Sequence, residues 1–157
     1  MRKFIKYGII AVAIIFAAAQ FIRPTFSNPQ IEPGKPIEET IAVPAEVQMV
    51  LSRSCNDCHS NKTVYPWYTH ITPANWFMAD HIDHGRSHLN MSEWGNYTND
   101  QKVRKLEEIC EEVSAGNMPL PSYLLLHRDA VLTQDQKDLV CGWTREASER
   151  LSSTSAN

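Results

Sequence analysis

The stretch "RSCNDCHSNK", residues 53–62, places two cysteines with two residues between them and a histidine directly after the second. Four kinds of site use this spacing: a redox dithiol, half of a zinc site, a local disulfide and a haem attachment site. A redox dithiol would need a βαβ context, and a zinc site would need a second ligand pair, whereas Cys110 and Cys141 are single cysteines. A disulfide within four residues is strained. The haem interpretation needs only what the sequence contains.

Haem attachment explains every part of this motif. Two thiols at i and i+3 can add to the two vinyl groups of one porphyrin edge, and the following imidazole can then bind the iron. Cys55 and Cys58 would be the covalent tethers, and His59 would be the proximal axial ligand. We therefore expect one haem c, covalently attached.

Residues 1–23 are predicted to be a signal or anchor segment. Three basic residues in "MRKFIK" precede a nearly uninterrupted apolar run from Tyr7 to Ile22, which is typical of an export signal. Ala17 and Ala19 form a small-x-small cleavage pattern, but about 16 apolar residues approach the length that spans a bilayer. We expect an N-terminal membrane helix that anchors the chain on the periplasmic side of the bacterial inner membrane. The alternative is secretion to the periplasm after signal cleavage.

The rest of the chain is predicted to form one domain. A length of 157 residues with 43% apolar content supports a single modest core. Residues 24–43 are rich in proline and are predicted to be a linker, residues 44–151 the folded domain and residues 152–157 a tail. The formal net charge of -3 lacks the basic excess that binding to nucleic acid requires. Nucleic acid is therefore excluded as an expected partner.

Four segments of the domain carry helical patterns, at residues 43–55, 72–89, 98–116 and 133–151. Thr72 is the predicted cap of the second, and the third and fourth each begin with a capping box, Thr98 with Gln101 and Thr133 with Gln136. No long alternation of β-branched residues suggests a sheet. The predicted fold is all-α, a small bundle of about four helices with long ordered loops around one haem, preceded by the membrane helix.

Several motifs together resemble a known family. The stretches "SCNDCHSNKTVYPWY", "HIDHGRSHLNMSEW" and "GNMPLPSYLLLHRDAVLT", followed by Trp143, resemble the small bacterial haem-binding domain of the C-x-x-C-H type, which is common in membrane-anchored periplasmic proteins. The resemblance covers residues 43–143. It implies a single covalent haem and no defined reaction.

The second axial ligand of the iron is predicted to be Met118. This residue lies in "GNMPLP", before the last helix, and the order of C-x-x-C-H motif, Met-Pro loop and C-terminal helix resembles the layout of class I cytochromes c. Met118 could instead fill the core, as methionine usually does. The runner-up ligand is His81, which shares one helical face with His84 and His88.

Four more residues are candidates for packing against the haem or for binding its propionates: Tyr65, Trp67, Tyr68 and Arg86. The aromatic residues could equally be ordinary core residues, and Arg86 could form a surface salt bridge. Cys110 and Cys141 are left over after haem attachment. In an oxidising compartment they could form a disulfide, or they could remain as two buried thiols.

These patterns predict single-electron transfer in the periplasm by a monohaem, cytochrome-like domain that serves redox partner proteins not identified by the sequence. No residue is required as an acid, base or nucleophile, so the chain is not expected to be an enzyme. Two alternatives remain. One is a peroxidase-like haem enzyme that uses His81 and Arg86, and the other is a haem-based redox or gas sensor with a displaceable sixth ligand.

Overall fold

The computed structural model describes residues 2–155, with side chains from residue 3 to residue 153, and this part of the chain is helical and contains no strand. Short 3-10 turns occur at Trp67–His70, Met91–Asn96 and Arg128–Ala130. The α-helices of the described part are α1 (Arg2–Ala19), α2 (Ile37–Thr40), α3 (Ala45–Ser54), α4 (Asn56–His59), α5 (Ala74–His88), α6 (Asn99–Ala115), α7 (Pro121–Leu124) and α8 (Gln134–Ser155). The four predicted segments correspond to α3, α5, α6 and α8. The short helices α2, α4 and α7 carry no sequence pattern of their own.

Capping residues explain where the two long helices of the domain begin. Thr98 Oγ1 accepts a hydrogen bond from Gln101 N at 3.3 Å, and Gln101 Oε1 accepts one from Thr98 N at 2.9 Å, so α6 starts with a capping box. Thr133 and Gln136 make the same pair of bonds before α8. The cap predicted for α5 is wrong. Pro73 is the residue that precedes the helix, and no side chain caps it. Thr72 lies one residue earlier and is buried.

The core lies between α3, α6 and α8. Its largest side chains include Trp94 and Leu106, both fully buried, and Trp143, whose Nε1 donates a hydrogen bond to the carbonyl of Ala42 at 3.0 Å. A disulfide between Cys110 and Cys141, with an S–S distance of 2.01 Å, joins α6 to α8. The pair of helices therefore forms one side of the domain, and α3, which leads into the C-x-x-C-H motif, packs against α8.

The predicted N-terminal membrane helix is wrong. Within residues 2–155, no helix is both long enough and apolar enough to cross a membrane. α1 has 18 residues, but its first turns contain three basic residues, and it ends at Ala19 rather than continuing to Ile22. The apolar remainder at residues 7–19 extends over only about 20 Å, whereas the hydrocarbon core of a bilayer is about 30 Å thick. The predicted anchoring at the inner membrane is withdrawn with it.

Residues 24–43, which the composition predicts to be a linker, pack against the domain. Ile37 is 1% exposed and belongs to the core cluster. The Asn28 side-chain amide donates to the carbonyl of Thr63 at 2.9 Å, and Gly95 N donates to the carbonyl of Lys35 at 2.8 Å. Proline content predicts an extended backbone here but does not exclude docking. In the predicted tail, residues 152–155 continue α8, and residues 156–157 lie outside the described part.

Candidate haem site

A cavity of about 630 Å³ lies between α3, α4, α5, α6 and the loop that leads into α7. This volume falls within the range of roughly 300–1,000 Å³ that is usual for small-molecule and cofactor sites. Most of the exposed surface of the lining is apolar, although about half of the lining residues are polar or charged. Residues that line the cavity include Cys55, Cys58, His59, His81, Met118 and Tyr123. The fold thus brings the C-x-x-C-H motif and both predicted candidates for the second axial ligand to one cavity.

The attachment turn, residues 55–59, follows directly from α3. Cys55 N donates to the carbonyl of Leu51, and His59 N donates to the carbonyl of Cys55. The φ of -127° at Cys55 separates the single turn α4 from α3. Because one turn separates positions i and i+3, Cys55 and Cys58 are presented on the same side. Both cysteines are free thiols. Two thiols on one turn beside a cavity are what attachment to two neighbouring vinyl groups requires.

Burial keeps both thiols protonated. Burial raises the pKa of Cys55 to about 12, and the neighbouring Cys58 contributes to the rise. The pKa of Cys58 is raised to about 11, chiefly by burial and then by the Asp57 carboxylate, while Arg86 opposes the rise. The thiol form therefore predominates at both half-buried cysteines at neutral pH.

His59 is held in one orientation by two backbone carbonyls. Its Nδ1 lies 3.0 Å from the oxygen of Gly85 and 3.1 Å from the oxygen of Leu89. A carbonyl only accepts, so Nδ1 carries the proton and Nε2 is the unprotonated nitrogen. Burial lowers the pKa of His59, which favours the neutral ring. A neutral imidazole with its second nitrogen fixed by a backbone carbonyl is the usual state of a histidine that binds a metal.

Gly85 allows α5 to approach the attachment turn. A Cβ at this position would lie 2.6 Å from the carbonyl oxygen of Cys58 and 3.1 Å from its carbonyl carbon, closer than real contacts allow. The same glycine supplies one of the two carbonyls that hold His59. Only glycine at this position lets the backbone of α5 both touch the turn and orient its histidine.

Met118 and His81 both line the cavity. Met118 N donates to the carbonyl of Glu112 at 3.2 Å, which turns the chain back over the end of α6. His81 Nδ1 donates to the carbonyl of Phe77 at 2.8 Å, and the two rings lie 3.9 Å apart. His84 and His88, on the same helical face, also line the cavity. The second axial ligand stays a prediction, with Met118 and His81 as its candidates.

Asp57 and Ser54 also line the cavity, although neither was predicted from the sequence. Asp57 lies inside the attachment turn, and its Oδ2 accepts a hydrogen bond from Tyr123 Oη at 2.8 Å. Ser54 Oγ is buried, lines the cavity and has no hydrogen-bond partner in the protein. A buried hydroxyl without a partner is costly, so a polar group bound in the cavity would satisfy it. The position of Asp57 between the two cysteines of the motif could have indicated that it lies at the site.

The other predicted haem contacts are not among the residues that line the cavity. Tyr65 Oη donates to the carbonyl of Ser27 at 2.8 Å, and Trp67 is 72% exposed. Tyr68 Oη lies 3.3 Å from Nε2 of His127. Arg86 donates to the carbonyl of Ser60 at 3.0 Å and to Thr63 Oγ1 and Asn28 Oδ1. Their contact with the haem stays a prediction, while Arg86 joins the N-terminal segment to the attachment loop.

A family model of the haem-binding domain matches residues 14–146, which is most of the chain. The chain belongs to the haem-binding domain family. No curated protein and no solved structure matches it. The match includes residues 24–43, in agreement with the packing of that segment on the domain. In this haem-binding domain the cavity, the free thiols, the oriented imidazole and the unpaired Ser54 hydroxyl all fit a haem.

Proposed function

We propose that this haem-binding domain holds one haem c and transfers single electrons in the periplasm. Cys55 and Cys58 would form the two thioether bonds, His59 Nε2 would bind the iron, and Met118 would bind it from the opposite side. The observation that carries the proposal is the single cavity lined by two free thiols, a fixed neutral imidazole and a thioether. When bound, haem c supplies a reversible one-electron change at its iron.

Two features of the cavity would affect the bound iron. The carbonyls of Gly85 and Leu89 hold His59 with Nε2 unprotonated, so no proton must leave before iron binds. The exposed surface of the cavity is mainly apolar, and burial of a haem against such a surface would affect its reduction potential. These features support the proposed electron transfer to redox partner proteins.

Two features support export to the periplasm. The basic start and apolar run of the first residues have the composition of an export signal. The Cys110–Cys141 disulfide is of a kind that persists in oxidising compartments and is rare in the cytosol. Attachment of haem c to a C-x-x-C-H motif would then take place in the compartment where the disulfide forms.

The test is the full chain produced in a bacterial host together with haem c maturation factors. Oxidised and reduced absorption spectra are recorded for the wild type, for Met118→Ala and for His81→Ala. We expect a low-spin wild-type spectrum with a methionine–iron charge-transfer band, lost in Met118→Ala and retained in His81→Ala. Loss of the low-spin spectrum in His81→Ala alone would assign the ligand to His81. A high-spin wild type that binds carbon monoxide readily would instead support an enzyme or a sensor.

A further inference from the structure

We propose that the hydrogen bond between Tyr123 and Asp57 holds the loop of Met118 against the attachment turn, so that Tyr123 is a positioning residue for the second axial ligand. We call this hydrogen bond the clasp, and we call residues 116–120 the methionine loop. The inference rests on the proposed function, because it concerns the ligand that Met118 would supply. It assigns a role to two residues for which the C-x-x-C-H and Met-Pro motifs give none.

The clasp joins two parts of the cavity lining that are distant in sequence. Tyr123 Oη donates to Asp57 Oδ2 at 2.8 Å, across 66 residues of sequence. The other carboxylate oxygen, Oδ1, accepts from Val64 N at 2.9 Å, so the acceptor is itself fixed. Asp57 stands between the two cysteines of the attachment turn. A bond to this carboxylate therefore ties α7 to the turn that carries the haem-attaching thiols.

The ring of Tyr123 is fixed from its other side by His127. The two rings are stacked, 3.9 Å apart with an interplanar angle of 9°. His127 Nδ1 donates to the carbonyl of Tyr123 at 3.1 Å, which leaves Nε2 to accept from Tyr68 Oη at 3.3 Å. With its ring held by stacking and its hydroxyl held by Asp57, Tyr123 has little freedom to move. This gives His127, which the sequence left without a role, a place in the same arrangement.

The position of the methionine loop depends on contacts with the rest of the domain. α7 has four residues, too few to be stable alone, so its position is set by tertiary contacts. Tyr123 N donates to the carbonyl of Leu120 at 2.9 Å, which couples the tyrosine to the loop that carries Met118. On the other side, the loop is held by backbone bonds from residues 117 and 118 to the Glu112 carbonyl. Release of the clasp would remove the hydrogen bond from α7 to the attachment turn, and would leave the backbone bonds at residues 116–118 and the stack on His127.

Met118 would supply a neutral thioether, and it can bind the iron only while the methionine loop is closed. The occupancy of this axial position therefore depends on the closed fraction of the loop. Hydrogen bonds to a carboxylate are stronger than neutral ones, and loss of this one is expected to raise the open fraction of the loop about tenfold. An external ligand that binds only the open form gains apparent affinity in proportion to that fraction. The clasp thus predicts a measurable competition between Met118 and an added ligand.

The experiment titrates the oxidised, haem-loaded full chain with imidazole and follows the absorption spectrum. Tyr123→Phe removes only the hydroxyl and keeps the stacked ring. The matched control is Tyr97→Phe, which removes a hydroxyl that accepts a hydrogen bond from Asn90 N at 2.9 Å and lies outside the cavity lining. We expect imidazole to bind Tyr123→Phe about tenfold more tightly than wild type, with no change in the control.

Asp57→Asn provides a second, independent variant, because it removes the charge of the acceptor but keeps its size. Imidazole should bind it more tightly than wild type, and adding Tyr123→Phe to Asp57→Asn should have less effect than adding it to wild type. A wild-type spectrum without methionine ligation would overturn both the proposed function and the clasp. Wild-type imidazole affinity in both single variants, with methionine ligation intact, would overturn the clasp alone.

Discussion

Replacing Gly85 with alanine should destabilise the domain, although alanine is normally the better helix residue. In the interior of a helix, Gly→Ala is favourable by about 1 kcal/mol. Here the new Cβ would lie 2.6 Å from the carbonyl oxygen of Cys58, an atom of the backbone that cannot rotate away. Overpacking of this kind costs about 1–3 kcal/mol, and displacement of α5 also weakens the bond from His59 to the Gly85 carbonyl, worth about 1 kcal/mol. The net loss in the free energy of unfolding is therefore about 1–3 kcal/mol.

The assay is thermal unfolding of the full chain, followed by circular dichroism, together with the yield of covalently bound haem. Gly142→Ala in α8 is the matched control, because a Cβ there meets no atom within 4 Å. The control should be stabilised by about 1 kcal/mol, or a few degrees in Tm. Gly85→Ala should unfold below wild type and carry less haem. If Gly85→Ala is as stable as Gly142→Ala and binds haem normally, the close approach of α5 to the attachment turn is refuted.

Two further predictions concern contacts away from the cavity. Replacing Cys110 and Cys141 together with serine should lower the free energy of unfolding by about 3 kcal/mol, since the disulfide closes a loop with a sequence separation of 31. Reductant should destabilise the wild type in denaturant titrations but not the double variant, and a wild type insensitive to reductant would count against the bond. Arg86→Gln should release the N-terminal segment that Arg86 binds through Asn28, which limited thermolysin digestion near Phe26 would detect as faster cleavage. Arg53→Gln, at an exposed position on α3, is its control, and equal cleavage rates in the two variants would contradict the assigned role of Arg86.

The sequence was informative wherever the relevant chemistry is local. The capping boxes at Thr98 and Thr133 predict the starts of α6 and α8, because both partners of each box lie within three residues. The left-handed conformation of Gly116, with φ of 76°, marks the end of α6 for the same reason. The C-x-x-C-H motif likewise contains both thiols and the imidazole within five residues. These parts of the fold and site could be predicted without knowledge of the tertiary structure.

Contacts between distant segments could not be predicted from the sequence. The carbonyl of Cys58 leaves room only for glycine at position 85, and Asp57 holds Tyr123. The two residues of each pair lie far apart in the sequence, and no periodic pattern connects them. Ile37 lies in a proline-rich segment, and only the tertiary fold shows that its side chain enters the core. The error at the N-terminus has a different cause. The apolar run of the sequence extends to Ile22, whereas the helix begins with basic residues and ends at Ala19.

Denaturation distinguishes a covalently attached haem, which stays on the peptide, from a haem that is bound only by the fold. The full chain and its Cys55→Ser, Cys58→Ser double variant are produced with haem c maturation factors, denatured and separated from free haem. Mass spectrometry of the peptide that contains residues 53–62 then shows whether haem is bonded to it. One haem is expected on the wild-type peptide and none on the double variant. A wild-type chain that releases all of its haem on denaturation would contradict covalent attachment.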